Sequence, residues 1–191
     1  MIAMVSKLTI FTTPKWIITL FIASHLVLLL MMTITFPRIE SVIQTTPFDL
    51  RTFGYTLEEA GHILDKMDPG TRSLYVFPQI LLLDVLYPLL LALLLSTLMM
   101  RMGRLSGFAS RFFRALTILP FVGMLCDYAE NTCVLALLQG WREPSQGFVS
   151  MASTFTQLKS LFTSLAWLLI FFQTVVWLRI KLVSKKATVY G

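Results

Sequence analysis

The stretch that decides the fold is ALTILPFVGMLCDYAENTCVLALL, residues 115–138. It is long enough to cross a bilayer, which takes about 20 apolar residues. Its middle is nevertheless polar: Asp127, Glu130 and Asn131 interrupt a run of Leu, Val, Phe and Cys. Three more apolar runs of similar length lie around it, so four spans are expected, at about 16–36, 74–100, 115–139 and 155–178.

The composition agrees. The 191 residues are 56% hydrophobic and 14% charged, against about 45–50% and about 25% in ordinary soluble domains. The expected fold is all-α: an integral membrane four-helix bundle forming one domain over the whole chain. No segment is polar enough to form a separate soluble domain.

A net charge of +6 suggests nucleic acid until the charges are placed. Lys7 and Lys15, then Arg101, Arg104, Arg111 and Arg114, then Arg179, Lys181, Lys185 and Lys186 fall in three segments without acids. The two remaining loops hold Glu40, Asp49, Glu58, Glu59, Asp65, Asp68 and Glu143 against five basic residues. Basic segments mark the cytoplasmic side. All five hydrophilic segments then agree on both termini inside and loops one and three outside. The basic excess faces anionic membrane lipid, and no nucleic-acid partner is expected. Asn131, the sole Asn, starts no N-x-[ST] sequon. That favours a plasma membrane, specifically a bacterial inner membrane, over the endoplasmic reticulum.

Asp127, Glu130 and Asn131 stand at i, i+3 and i+4, on one helix face. An Asp at the centre of a membrane helix costs about 2.5–3.5 kcal/mol on insertion scales, and two acids about 5–7. The Leu, Val and Phe of one helix return only about 0.3–0.6 each. The face must point into the bundle, with at least one carboxyl paired or protonated.

The second span offers a partner. Asp84 lies ten residues in, about 15 Å along the helix, with Tyr87 and Pro88 on the same face. Pro88 cannot donate to the carbonyl four residues back, which is that of Asp84. One turn therefore presents a carboxyl, a freed carbonyl and a phenol. The bland reading is a proline kink that only shapes the bundle.

The fourth span carries Ser153, Thr156, Ser160, Thr163 and Ser164 as a stripe, with Lys159 beside it. Lys159 can reach Glu130 or snorkel to the headgroups. His25, near mid-depth of the first span, is either a proton carrier or ligand, or a helix–helix hydrogen bond. In the first external loop, Thr56-Leu57-Glu58-Glu59 is a capping box opening a short amphipathic helix over 57–67. That helix is expected at the interface or over the bundle mouth, with His62 exposed. Pro37 is expected to close the first span, and Asp68-Pro69-Gly70 to form a stop and turn. Gly103 and Gly107 make a weak GxxxG outside any apolar run.

Cys126 and Cys133 are two helical turns apart, too far for a disulfide, and no cofactor or metal pattern is present. Asp84, Asp127 and Glu130 are the expected catalytic groups, with His25, Tyr87, Asn131 and Lys159 as binding groups. Two carboxyls in different environments suit acid/base chemistry on a lipid-like, isoprenoid or sterol-like molecule. The other readings are proton- or cation-coupled transport by a homo-oligomer and a non-catalytic assembly protein with a structural polar network.

Overall fold

The computed structural model describes residues 12–108 and 110–190, with side chains through Ser184. Lys7, the rest of the lead-in through residue 11, and the side chains of Lys185 and Lys186 lie outside the described residues. Among the described residues the chain is all helix and connection, without a strand. Four helical stretches are long and apolar enough to cross a membrane: Pro14–Ile43, Pro69–Leu105, Arg111–Leu138 and Gln146–Ser184. The protein is a multi-pass membrane helical bundle.

The first stretch is α1 (Pro14–Leu30), a π segment (Met31–Thr35) and α2 (Phe36–Ile43). Pro37 was expected to close the span, and it does not. It sits at the start of α2, which continues the π segment as one helix through Ile43. The π widening just before it shifts the hydrogen-bond register that the ring would otherwise disrupt. The helix ends at Gln44, in the left-handed region at φ 56°.

A folded loop follows, with a 3₁₀ turn at Phe48–Leu50 and α3 at Leu57–Lys66. The capping box forms as read. The Glu59 N–H donates to Thr56 Oγ1 at 3.2 Å, and the Thr56 N–H donates to Glu59 Oε2 at 2.7 Å. Ala60, Ile63 and Met67 are buried and His62 is exposed.

The stop at Asp68-Pro69-Gly70 is also a start. Asp68 caps α4 (Pro69–Leu74), its Oδ1 accepting the Thr71 N–H at 2.8 Å, and Pro69 occupies the position where proline favours a helix. The second span thus begins five residues before Leu74. A π stretch (Tyr75–Leu83) then leads into α5 (Asp84–Leu105). Phe77, in front of Pro78, is extended at φ −141°, ψ 126°, as residues preceding proline tend to be.

The basic connection contains a short helix, α6 (Arg111–Leu116), capped by Ser110. It leads to α7 (Leu119–Leu138), with Pro120 in its first turn. The last helix, α8 (Gln146–Tyr190), starts well before the expected Phe155. The third loop, read as 140–153, is therefore much shorter, because Pro144 is where the turn ends and the polar stripe beyond it is already helical.

α7 and α8 pack along each other, and α5 touches α1, α7 and α8. The larger core lies at the end that holds the long loop. Phe36, Ile39, Phe48, Ile63, Tyr75 and Leu138 are its centre. The other end has a smaller core of Leu95, Met99, Ala166 and Ile170. There Arg101 donates to the Thr12 carbonyl and Arg104 to the Thr12 hydroxyl, fastening the start of α1 to the end of α5. Gly103 belongs to this packing, since a Cβ there would press on the Phe108 carbonyl and Gln173. That accounts for the glycine without any dimer motif.

Candidate functional site

Depth on α7 and α8 brings Lys159 between the two acids. Its Nζ stands 2.6 Å from Asp127 Oδ1 and 2.5 Å from Glu130 Oε2. The Glu130 side chain is fully buried, and its Oε1 accepts the Thr156 hydroxyl at 2.7 Å. Lys159 therefore does not snorkel; it is the cation that allows the acidic face of α7 to be buried. Close approach of the two helices depends on Gly123, where a Cβ would sit 3.3 Å from Thr163 Oγ1.

The proline turn of α5 meets the same face of α7. Asn131 Nδ2 donates to the Asp84 carbonyl at 3.3 Å, the group that Pro88 leaves without its helical partner. One turn away, Tyr128 donates to the Val85 carbonyl at 2.7 Å. α7 thus offers two side-chain donors to consecutive carbonyls of a broken helix. Irregular backbone at membrane depth is tolerated where protein satisfies it in this way.

Asp84 itself sits where the π stretch passes into α5, at φ −86°, ψ 0°. It is 3% exposed, and its Oδ2 has no hydrogen-bond partner. The residue is among those lining a cavity of about 830 Å³. Asp49, Asp84, Tyr87, Asp127 and Lys159 stand on its polar wall together with Thr52, Gln157, Ser160, Thr163 and Ser164. The apolar wall includes Leu28, Met31, Leu91, Leu95, Pro120 and Met124. Phe53, Met32, Leu161 and Ser164 also line it and are themselves exposed, so the space opens at the bundle surface. Its size falls in the range of small-molecule sites, about 300–1,000 Å³.

Of the seven candidate residues, Asp84, Tyr87, Asp127 and Lys159 share this wall. Glu130 and Asn131 stand behind it, the first holding Lys159 and the second the Asp84 carbonyl. His25 is apart from the group. Its Nδ1 lies 2.9 Å from the Phe21 carbonyl, and its ring stacks on Phe21 at 3.9 Å. It makes the contacts of a histidine satisfied by its own helix.

Sequence reasoning missed the loop's contribution. Asp49, counted there as one more external acid, is buried and lines the cavity. Its Oδ2 accepts the Tyr75 hydroxyl at 2.5 Å. The signal available was an acid held between Phe48 and Leu50 after Pro47, a poor pattern for a solvated loop. The loop is fastened to α8 by two bonds. The Tyr55 N–H donates to Ser153 Oγ at 2.8 Å, and Gln157 Nε2 donates to the Phe53 carbonyl at 3.0 Å. Gly54 permits this docking: its φ is +88°, and a Cβ there would overlap Gln157 and Ser153. Burial, and next the Glu130 carboxylate, push the Tyr55 phenol up from its ordinary value. Tyr75 has a neighbour in the same layer, where Gln79 Oε1 accepts the Thr35 hydroxyl at 2.5 Å.

Both cysteines are free. No three His, Cys, Asp or Glu side chains among the described residues are grouped to hold a metal ion. The fold and this cluster define a multi-pass, all-α membrane protein with a buried group of acids organised by one lysine. Compared with protein-family models, curated proteins and solved structures, the chain matches none.

Proposed function

We propose that the protein binds, or chemically converts by acid/base chemistry, a lipid-like molecule of isoprenoid or sterol-like character that enters the cavity from the membrane. The observation that carries this is Asp84. It is a buried carboxyl without a cation of its own, on the wall of an otherwise largely apolar cavity. Buried ionisable groups at membrane depth are functional candidates by default, and most buried polar atoms of a purely structural network find a partner.

The roles divide by partner. Lys159 holds Asp127 and Glu130, which leaves Asp84 as the group free to exchange a proton with a bound molecule. Tyr87 on the same wall would orient that molecule, and Asn131 would hold the Asp84 backbone. Isomerisation, hydration and hydrolysis are the reaction types that such a carboxyl can serve.

The charge pattern supports a cytoplasmic placement of both termini. The loop that carries α3 would then lie outside, with α3 at the interface over the mouth of the cavity. A bacterial inner membrane is the compartment proposed.

The test is the identity of what co-purifies. Protein extracted from its host membrane should carry a lipid-like molecule, detected by mass spectrometry after solvent extraction, at a fixed ratio to protein. Asp84→Asn should lose it while keeping the same thermal midpoint. Wild type carrying only bulk membrane lipid, in the same proportions as the variant, would refute the proposal.

A further inference from the structure

Two of the buried acids on the cavity wall come from different parts of the chain and meet there. Asp49 belongs to the first loop and Asp84 to the second span, and both line the cavity. Their carboxyls lie within hydrogen-bonding reach of each other. Asp49 uses Oδ2 to accept the Tyr75 hydroxyl at 2.5 Å. Asp49 Oδ1 and Asp84 Oδ2 accept no donor. The two residues are 8% and 3% exposed, so bulk water does not serve these oxygens.

No cation is left to separate the pair. Lys159 is the one cationic side chain lining the cavity, and it is bonded to Asp127 Oδ1 and Glu130 Oε2. Arg51, in the loop itself, is bonded to Glu59. Of the neutral donors on the wall, Gln157 donates to the Phe53 carbonyl and Ser160 to the Thr156 carbonyl, and none bonds to Asp49 or Asp84. The remaining titratable neighbours are phenols, Tyr75 and Tyr87 from the second span and Tyr55 from the loop. Two carboxylates side by side in a dry place repel, and such pairs hold one proton between them. A protonated carboxyl has the O–H donor that a carboxylate lacks. One proton therefore supplies the missing donor and removes the repulsion together.

We propose that Asp49 and Asp84 share one proton, and that this proton latches the first loop against the second span at the cavity. The bonds that fasten the loop to α8 are neutral, from the Tyr55 N–H to Ser153 Oγ and from Gln157 Nε2 to the Phe53 carbonyl, so neither changes with pH. Raising the pH until the shared proton leaves puts two charges face to face and loosens the joint. Leu50, Thr52 and Phe53, on the same stretch of loop, line the cavity, and Phe53 is 96% exposed at its mouth. Loosening this stretch widens the mouth, so the latch makes access to the cavity depend on protonation.

The test is an infrared spectrum of the full-length protein in detergent at neutral pH, with a heavy-carbon label on the aspartate carboxyls. Wild type is expected to show the band of a protonated carboxyl. The label is expected to shift it, which assigns it to Asp and excludes Glu130. Asp49→Asn and Asp84→Asn are each expected to lose that band, because an amide donates to the remaining carboxylate without an added proton. Should one variant not fold, the other carries the same expectation. Raising the pH should remove the band from wild type and raise protease cleavage between Gln44 and Thr56 at least about tenfold over the folded variant at the same pH. Absence of a label-shifted band from wild type would overturn the proposal. A band that survives at full intensity in a folded variant would place the proton elsewhere, for example on Asp127, and overturn it as well. Cleavage that does not follow the loss of the band, or a band that no pH removes while the protein stays folded, would overturn the latch. These readouts need no ligand, so their failure leaves the cavity reading standing, and a wild type without a co-purified lipid-like molecule leaves the pair standing.

Discussion

The two ends of the bundle are held in different ways. At the loop end, a continuous apolar core runs from Phe36 through Phe48 and Tyr75 to Leu138. Bonds from the Tyr55 N–H and from the Gln157 and Arg72 side chains fasten loop and helix ends to it. At the basic end the core is small, and Arg101 and Arg104 tie α1 to α5 through Thr12. The acid cluster lies on the loop-end side of that small core. There the loop folds inward beside the acids, with Asp49 buried and Tyr55 and Phe53 bonded to α8. The lesson is that the long loop lines the same cavity as the acids, and that a single lysine pairs with two of them.

The largest break in this contrast should come from Lys159→Met. Removing one partner of a buried ion pair costs about 3–5 kcal/mol, and here two carboxylates are stranded. The thermal midpoint in detergent should drop sharply. Adding Asp127→Asn and Glu130→Gln should recover much of the loss, because the uncompensated charge is then gone. A small drop for Lys159→Met alone would show that the acids do not depend on it.

Asn131→Leu should cost about 1–3 kcal/mol, the penalty for a buried carbonyl left unmet. Pro88→Ala restores an N–H in the turn facing that carbonyl, so in the double variant the cost of Asn131→Leu should shrink. Additive losses would mean that the Asp84 carbonyl is not what couples the two residues.

On the loop, Tyr75→Phe removes the donor to Asp49 and should cost about 1–2 kcal/mol. The same change should raise protease cleavage between Gln44 and Thr56 while leaving the basic end protected. Equal loosening of both ends would erase the difference between them. Thr56→Ala should cost about 1 kcal/mol through the lost helix cap.

The smallest effect is in acid. The Thr56 N–H, followed by the Arg51 guanidinium, holds the Glu59 carboxyl below its ordinary value of 4.5. A carboxyl lowered by folding adds stability above its unfolded value, and that stability is lost as pH falls through the lower folded value. Glu59→Gln should flatten stability against pH below about pH 4.5 and change little at neutral pH. An unchanged acid limb would show that the capping box does not titrate.

The sequence was most readable where residue type and helical spacing act alone. Four apolar runs, the i, i+3, i+4 face of α7, the capping box of α3 and the freed carbonyl at Asp84 all follow from local rules. Lys159 was half readable: depth along two neighbouring helices pointed to Glu130 or to the headgroups, while the choice against snorkelling and the second contact, to Asp127, are set by packing. Prolines misled in both directions. Pro37 and Pro69 read as stops, yet the helix runs on through Pro37 and a first-turn position suits Pro69, and the π widening before Pro37 is a property of packing that no spacing reports. Asp49 was only faintly readable, for a different reason. Loop charge patterns say which side of the membrane a loop lies on, whereas its path inward is set by Gly54, Ser153 and Gln157 meeting in three dimensions. His25 bonds to its own helix and does not line the cavity, a matter of which face packs inward that its position in the run does not report.

The central claim is that the space beside Asp84 is a ligand site. The most direct measurement is an electron cryomicroscopy map of the protein purified from its own host membrane. The account predicts elongated density in the 830 Å³ cavity, running from the surface near Phe53 and Leu161 to a polar end at the Asp84 carboxyl. Side chains closed over that space, with every oxygen of Asp49, Asp84 and Asp127 bonded to protein, would contradict it.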